Sequence, residues 1–329
     1  MRAALRAAAA LAGLLLLAAV PATAMPANPA SPAPAGVTRN GQQIYQQFRD
    51  GLSDPECGDE VSARWSKHFS AAPKRLASAD ENTLALFGYV VDALERSSLP
   101  TEYALIPFVE SGYKPAARSP LGPAGLWQMI KRTARDHDVP IRKGYDGRLS
   151  PVDSTRAAVR YLKTLHGMFA GDWRLAAMAY NAGEYRVLGA LKRAGQVARD
   201  ARPSELPGLS GITHAYVRKL HALACVLQGA EGREAWLQAL DRPVPVLKVV
   251  ELPPGIDRID AWAEQNGQDP DRVRRLNPVF IDGRIRPGKS PVQLLAVARE
   301  PAPEPAPQPA AATVPLPSAG VVEGTPVGN

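Results

Sequence analysis

Cysteine, histidine and aromatic residues are scarce in this chain of 329 residues, and the scarcity excludes several kinds of site. The two cysteines and five histidines form no Cys-x-x-Cys pair and no His-Glu-x-x-His spacing, so no zinc-ligand pattern is present. No glycine-rich, phosphate-cradling loop occurs either. Phe, Trp and Tyr make up 6% of the residues, and no basic stripe is interleaved with them, which argues against a nucleic-acid interface. We therefore expect no cofactor, no metal and no nucleic-acid partner.

Long hydrophobic runs are also missing, apart from one near the start of the chain. Two arginines precede an apolar core at residues 11–20, and small residues at 22–24 form a cleavage site. Residues 1–24 are therefore predicted to be a signal peptide, with an N-terminal membrane anchor as the alternative that the short core disfavours. No cysteine follows the core, so a lipid would have no attachment point. We expect a periplasmic or secreted protein without a membrane-spanning segment in the mature chain.

Basic residues slightly outnumber acidic ones. The chain carries 39 basic and 32 acidic residues, a net charge of +7. Without the two arginines of the signal peptide the balance is 37 to 32, or +5. A modest positive balance suits an anionic polymer as partner.

The two cysteines, Cys57 and Cys225, lie far apart in the sequence. In an oxidising compartment they could form a disulfide. They could equally be two separate buried thiols, because connectivity cannot be deduced from one sequence.

Composition and periodicity divide the chain into a helical block and a smaller mixed block. Apolar residues recur at helical spacing from Ile44 onward and around Leu84 and Val91. No convincing strand appears before residue 243, although a small β-hairpin near the cleft is compatible with the pattern. The resulting segments are a signal peptide at 1–24, a Pro/Ala-rich spacer at 25–40, a helical domain at 41–242, a small module at 243–298 and a disordered Pro/Ala-rich tail at 299–329.

Several helix ends are marked by capping residues. Ser78 with Glu81 three residues later predicts a capping box before the Leu84 helix. Asp153 and Asp172 are each predicted to cap a following helix, and the second of these helices should stop at Gly183.

The block after residue 243 predicts two strands enclosing two helices. Leu247–Val250 reads as a strand, a first helix follows around Trp262, and Asp269-Pro270 begins a second helix. Leu294–Val297 reads as the return strand. This order resembles a LysM module, although the usual Gly-Asp-Thr opening is missing. A packing module without a ligand is the open alternative.

Three short strings in one order carry the chemistry. Glu110-Ser111 ends an apolar run that begins at Leu105, and burial in such a run raises the pKa of a carboxyl, as a general acid at neutral pH requires. Gly125-Leu126-Trp127-Gln128 then forms a glycine-containing turn. Ala179-Tyr180-Asn181-Ala182-Gly183 follows, and Tyr216 comes later. Alone, Glu110 would be read as a surface residue at a helix end.

These strings, in this order, resemble the family 1 lytic transglycosylases of bacterial cell walls, and among them the membrane-bound lytic murein transglycosylase D group. The resemblance covers residues 40–225 well and 245–298 loosely. It implies a mainly α fold, with a lysozyme-like (SLT-type) helical catalytic domain followed by a small α+β LysM-like module. It also implies that the anionic polymer is peptidoglycan, whose glycan strands would be the substrate. Protein partners are not indicated.

The resemblance implies cleavage of the β-1,4 bond between N-acetylmuramic acid and N-acetylglucosamine. Most glycosidases need two carboxylates, but one suffices when the muramic C6 hydroxyl is the nucleophile and a 1,6-anhydro end forms. Glu110 would be the catalytic acid and then the base. Two alternatives remain open: a hydrolytic muramidase using water and a second acid such as Asp146, and a non-catalytic wall-binding protein.

The remaining site residues are expected to bind substrate. Gln128 offers a donor and an acceptor to an acetamido group, and Met129 should line the wall of the cleft. Trp127 is expected in the core. For Ser111 and Asn181 a helix-terminal role is the alternative. The predicted substrate-binding residues are Ser111, Ser119, Gln128, Met129, Tyr180, Asn181 and Tyr216.

Overall fold

The structure is a computed structural model that describes residues 36–58, 61–79, 82–286 and 291–299. The predicted signal peptide, the first part of the predicted spacer (25–35) and the tail from residue 300 lie outside these residues. All described residues belong to one compact unit. No helix within the described ranges is long and apolar enough to cross a membrane.

Helices dominate the described part of the chain, so the prediction of a mainly α-helical fold is confirmed. In chain order they are α1 (Gly41–Asp50), α2 (Ala63–His68), α3 (Ala72–Ala77), α4 (Thr83–Glu95), α5 (Ile106–Glu110), α6 (Lys131–Asp136), α7 (Pro151–Met168), α8 (Trp173–Ala182), α9 (Glu184–Ala194), α10 (Gly211–Gln228), α11 (Glu234–Leu240), α12 (Ile259–Gln265) and α13 (Pro270–Leu276).

Six short strands pair two by two within the described ranges. The pairs are β1 (Thr38–Asn40) with β4 (Pro243–Pro245), β2 (Ile141–Arg142) with β3 (Tyr145–Asp146), and β5 (Leu247–Glu251) with β6 (Gln293–Val297), all antiparallel.

The pairing of β1 corrects the boundary of the predicted spacer. Residues 38–40 were expected to belong to it, but they form a strand against β4. Val37 continues this contact, since its carbonyl oxygen accepts from Val246 N–H at 2.9 Å. The partners lie about 200 residues away, and composition cannot reveal such a distant pairing.

The core of the helical region forms around α4, α7, α8 and α10. α8 packs against α7, α9 and α10, and α4 packs against α1 and α7. Ten of the thirteen residues of α4 are buried, because it lies in the middle of the bundle. Trp127 is 1% exposed and donates its indole N–H to Thr155 Oγ1, which confirms the prediction that it belongs to the core.

Capping predictions have mixed outcomes. Asp172 caps α8 by accepting from two backbone N–H groups, and Gly183 ends that helix at φ +91°, as predicted. For α7 the predicted cap was wrong: Ser150 is the N-cap, and Asp153 lies in the first turn. Pro151 at the helix start favours this earlier beginning.

The predicted capping box before α4 was also wrong. The helix begins at Thr83 after Asn82, whereas Ser78 ends α3. Glu81, the other member of the predicted box, lies outside the described residues.

Cys57 and Cys225 form a disulfide, which settles the alternative that the sequence left open. The bond joins the loop before α2 to α10. Asp54 ties the same loop to other parts of the helical region, since its carboxylate pairs with Arg174 of α8 and its N–H donates to Glu102.

The C-terminal module, β5-α12-α13-β6, has the predicted strand–helix–helix–strand order. Buried Asn277 joins its parts, because its side chain donates to Val273 O and Leu295 O and accepts from Leu295 N–H. The neighbouring strand β4, which the sequence assigned to this module, pairs instead with β1.

Candidate active site

Glu110 ends the short helix α5, which lies deep in the molecule. A 3-10 turn at Thr101–Leu105 leads into α5, and all five residues of the turn are buried. Pro107 occupies the first turn of α5, where a missing N–H removes no helical hydrogen bond. Gly112, at φ +62°, turns the chain away immediately afterwards. The apolar run therefore presents one carboxyl group at its end.

The surroundings of Glu110 favour its protonated form. The side chain is half-buried, and burial raises the pKa of its carboxyl; the hydrogen bond from Tyr216 and the charge of Lys219 offset this rise in part. Tyr216 OH donates to Glu110 Oε1 at 2.8 Å. A carboxyl with a raised pKa and a fixed donor has the properties of a general acid that must later act as a base.

Tyr216 reaches Glu110 from α10. It is 3% exposed, and burial raises the pKa of its own hydroxyl well above 10, with the charge of Glu110 adding to the effect. The hydroxyl thus remains a hydrogen-bond donor. The structure brings together two predicted residues that lie 106 positions apart.

The second string forms a turn, here called the cleft turn (residues 119–129). Ala124 forms bridges to Arg118 and Met129, which closes the turn on itself. Gly125 has φ +82°, and a Cβ there would lie 1.6 Å from the carbonyl oxygen of Arg148. Only glycine fits at this position, because both the backbone angle and the space exclude a side chain.

Gln128 is held within the cleft turn. Its Nε2 donates to Gly125 O at 2.8 Å and to Ala117 O at 3.2 Å. Among the described residues no partner holds its Oε1, so this atom remains to accept a hydrogen bond from a ligand. The sequence predicted that Gln128 offers a ligand both a donor and an acceptor. In the structure the donor is used within the protein, and the acceptor is left for a ligand.

The third string ends α8. Tyr180 OH donates to Trp127 O at 3.0 Å, which ties α8 to the cleft turn. Burial raises the pKa of Tyr180 well above 10, and the nearby charge of Glu110 raises it further. Asn181 is exposed.

Ser111 and Ser119 both have hydrogen-bond partners within the protein. Ser111 Oγ lies 2.8 Å from Leu126 O and accepts from Lys114 N–H. Ser119 Oγ accepts from Leu121 N–H at 3.3 Å. Neither serine is among the residues that line the cavity beside Glu110. Their substrate contacts therefore remain predictions, and the observed bonds shape the loops.

A cavity of about 640 Å³ opens beside Glu110, and residues of all three strings line it. Within the described ranges Glu110 is the one carboxylate on its wall. Five of the lining residues were predicted from the sequence: Glu110, Gln128, Met129, Tyr180 and Asn181. The lining residues that the sequence analysis missed as site residues include Ile130, Arg132, Thr133, Tyr161, Tyr185 and Arg186.

Tyr161 and Tyr185 were missed for different reasons. Tyr161 lies on the apolar face of α7, so its spacing predicts core packing, yet its hydroxyl donates to Glu184 Oε2 at 2.8 Å beside the cavity. Tyr185 is 81% exposed. Its position two residues after the third string was the available signal.

Asp146, the alternative second acid, does not line this cavity. Its carboxylate binds Arg148 through two contacts of 2.9 and 2.8 Å. Burial raises the pKa of Asp146, but the bonds and charge of Arg148 outweigh burial and leave the pKa below its usual value. A carboxylate held in this way is poorly placed to activate water.

We expect the Tyr216→Phe variant to shift the alkaline limb of the kcat/KM profile to higher pH. The hydroxyl stabilises the carboxylate of Glu110, so its removal raises the pKa further and the acid form persists to higher pH. Activity at the optimum should fall roughly tenfold or more, because a bond that orients a charged group is lost.

A matched control for that variant is Tyr113→Phe. Tyr113 is also buried, but its hydroxyl donates to Ala104 O at 2.8 Å. A pH profile that shifts in both variants, or in neither, would contradict the role given to Tyr216.

Known proteins resemble this chain in the region that contains the three strings. Residues 91–202 match the family model "Transglycosylase SLT domain". This SLT region includes Glu110, the cleft turn, Tyr180 and Asn181, whereas Tyr216 lies beyond it. The match covers the chemistry-bearing strings but not the C-terminal module.

Two relatives with reported names share part of the chain. "Membrane-bound lytic murein transglycosylase D" of Escherichia coli (strain K12) is 33% identical over 175 residues, which is 50% of this chain and 38% of the relative. "Peptidoglycan transglycosylase gp16" of Escherichia phage T7 is 40% identical over 83 residues, which is 25% of this chain and 6% of the relative. The chain thus spans well under half the length of either relative.

Among solved structures, an inactive mutant of lytic transglycosylase Slt from Pseudomonas aeruginosa is 21% identical, covering 62% of this chain and 33% of that one, with a TM-score of 0.36.

Proposed function

We propose that this chain is a lytic transglycosylase that cleaves the β-1,4 bond between N-acetylmuramic acid and N-acetylglucosamine in peptidoglycan. The observation that carries the proposal is Glu110, the one carboxyl that lines the cavity in the described part of the chain, with its raised pKa and its hydrogen bond from Tyr216. The match of residues 91–202 and the names of the relatives support the same activity. Its role would be cell-wall remodelling or turnover.

The reaction proceeds in two proton transfers at one carboxyl group. Glu110 first gives its proton to the bridging oxygen, and the bond from muramic C1 to that oxygen breaks. The resulting carboxylate then takes the proton from the muramic C6 hydroxyl, whose oxygen bonds to C1. The products are a new hydroxyl on N-acetylglucosamine and a 1,6-anhydromuramic end. No water is consumed, and Glu110 returns to its acid form.

Tyr216 and Lys219 suit the second half of this cycle. Both favour the charged carboxylate, because one donates a hydrogen bond to it and the other brings a positive charge near it. Burial favours the acid form. Opposing influences of this kind allow a carboxyl to exist in both its acid and its charged form. One group can then act first as an acid and next as a base.

Hydrolysis is the rival outcome, and the ends of the products distinguish the two. Purified peptidoglycan is digested, treated with borohydride and analysed by mass spectrometry. Anhydro ends resist reduction and are lighter by one water than ordinary muramic ends. The proposal requires ends of this kind. Reducible muramic ends would support a hydrolase. Glu184, which accepts a hydrogen bond from Tyr161, would then be mutated first in the search for a second acid.

The proposal includes export. Residues 1–24 have the pattern of a signal peptide, and the disulfide between Cys57 and Cys225 suits an oxidising compartment such as the periplasm or the exterior. The LysM likeness of the C-terminal module is also part of the proposal. Its strand–helix–helix–strand order supports the likeness, and binding of glycan by the module remains a prediction.

The cavity also predicts a preference for anionic substrate. Arg132 and Arg186 line it, and Glu110 is the one carboxylate beside them among the lining residues that the structure describes. Arg186→Gln should raise KM for muropeptides with free carboxylates several-fold at low salt, because an exposed charge contributes modestly and is screened. Affinity for uncharged N-acetylglucosamine oligomers should not change.

Arg193→Gln is the control for that prediction. Arg193 lies on the same helix, α9, but its guanidinium donates to Pro207 O away from the cavity. Equal losses for charged and uncharged ligands in Arg186→Gln would contradict an electrostatic role.

A further inference from the structure

Arg148 holds the cleft turn from behind. Its side chain is 3% exposed, yet it carries a full positive charge. Nη1 donates to Gly122 O at 2.7 Å and to Met129 O at 3.0 Å. These two carbonyls lie near the two ends of the turn, so one guanidinium fixes both of them.

The rest of Arg148 is fixed equally firmly. Its Nε and Nη2 donate to the two carboxylate oxygens of Asp146 at 2.9 and 2.8 Å. Its own carbonyl oxygen fills the space where a side chain at Gly125 would lie. A planar fork with donors on both sides makes all these bonds at once, which the single ammonium of lysine cannot do.

The segment that carries Arg148 rests on the C-terminal module. Tyr145 packs edge-to-face on Phe280 with ring centroids 5.9 Å apart. One buried cluster joins this segment to the apolar core of the module. It contains Tyr145 and Leu149, Ala124 from the cleft turn, and Ile259 and Trp262 from the module. This cluster is distinct from the main helical core.

We infer that Arg148 is a positioning residue for the cleft turn, and that the C-terminal module supports it through Tyr145 and Phe280. The module then acts on the geometry of the cleft, whether or not it binds glycan itself. Phe280 contacts Tyr145, and Asp146 follows Tyr145 in β3. Asp146 binds Arg148, which donates to the carbonyl of Met129 on the cavity wall. The inference rests on the proposed function for its kinetic readout, but its structural readout does not need activity.

Methionine methyl NMR tests the structural half on the full chain. Met129 lines the cavity, whereas Met168 is partly exposed at the end of α7 and Met178 is buried in α8. Arg148→Lys and Phe280→Leu should each move the Met129 signal and leave those of Met168 and Met178 in place. Leucine keeps most of the volume of Phe280, so the core of the module remains filled.

Val273→Ala is the matched control in the module. Val273 is 1% exposed on α13, which packs against α12 and β6. Its truncation should weaken the module without moving the Met129 signal.

The kinetic half separates positioning from general loss of structure. Arg148→Lys should lower kcat/KM on a soluble glycan roughly tenfold or more, mainly through a higher KM, because displaced binding groups cost affinity. The alkaline pH limb should not move, since Tyr216 holds Glu110 from α10. Partial unfolding would instead lower apparent kcat at constant KM.

Two results would overturn the inference. One is an unchanged Met129 signal in both Arg148→Lys and Phe280→Leu. The other is an equal movement of that signal in Val273→Ala. If the wild-type chain lacked activity altogether, the proposed function would fail while the Met129 shifts still decided the role of Arg148.

Discussion

The Glu110→Gln protein is expected to lose about a thousandfold or more of its activity on peptidoglycan, because one group supplies both proton transfers. Glutamine keeps the shape of the side chain and can still accept the hydrogen bond from Tyr216 OH, which lies 2.8 Å from Glu110 Oε1. Binding to the wall should therefore persist. The measurement is turnover of purified peptidoglycan beside a pelleting assay with the same protein.

Stability should not fall in this variant. The pKa of Glu110 is raised in the folded chain, so its ionisation above the unfolded pKa destabilises the fold. Glutamine removes that cost. The Tm of Glu110→Gln should equal or exceed that of the wild type near neutral pH, and the difference should shrink as acid protonates Glu110 in both states.

Glu102→Gln is the matched control. Glu102 is 1% exposed, and burial raises the pKa of its carboxyl too, but it accepts a hydrogen bond from Asp54 N–H instead of facing the cavity. Its replacement should leave kcat within a few-fold of wild type while it changes stability. Full activity in Glu110→Gln, or an equal loss in Glu102→Gln, would contradict the assignment of the acid.

Removing the disulfide is expected to lower the free energy of unfolding by roughly 3–5 kcal/mol, because the bond closes a segment of 168 residues in the unfolded chain. Urea unfolding of the Cys57→Ala/Cys225→Ala variant against the oxidised wild type measures the difference. Neither cysteine lines the cavity, so activity of the folded variant at room temperature should be preserved.

Reductant provides the control for this prediction. It should destabilise the wild type by a similar amount and leave the double variant unchanged. Two free thiols in the denatured, unreduced wild type, or equal stability with and without reductant, would show that the bond does not form in solution.

Local sequence pattern identified several residues that the structure brings to the cavity, but it missed much of the lining of the cavity. Glu110 is recognisable because a carboxylate closes an apolar run, and Asp172 and Gly183 mark the ends of α8 because capping is local. Gly125 is recognisable from the sequence as a turn residue, but nothing in the sequence shows that Arg148 packs against it. That contact depends on a fold that sequence periodicity does not specify.

Long-range contacts account for most of the differences. The pairing of β1 with β4 and the bond between Cys57 and Cys225 join positions that no local pattern relates. Tyr161 has the spacing of a core residue, and only the structure shows that its hydroxyl lies beside the cavity. Ser111 has the position of a ligand contact, yet its hydroxyl donates to the carbonyl of Leu126 in the cleft turn.

The module after residue 246 combines both situations. Its strands and helices follow from local pattern, as the cap at Asp269 illustrates. Its packing on Tyr145 and Leu149 does not, because the residues involved are ordinary apolar residues in both segments. A role in supporting the cleft therefore becomes visible only when both segments are seen together.

Digestion of peptidoglycan in H₂¹⁸O tests the central claim most directly. The wild-type chain acts on purified peptidoglycan in labelled water, and mass spectrometry determines the muramic ends. The account predicts 1,6-anhydromuramic ends without ¹⁸O, because the C6 hydroxyl of the substrate is the nucleophile. Muramic ends that carry ¹⁸O and are heavier by one labelled water would contradict it, because water would then have attacked C1.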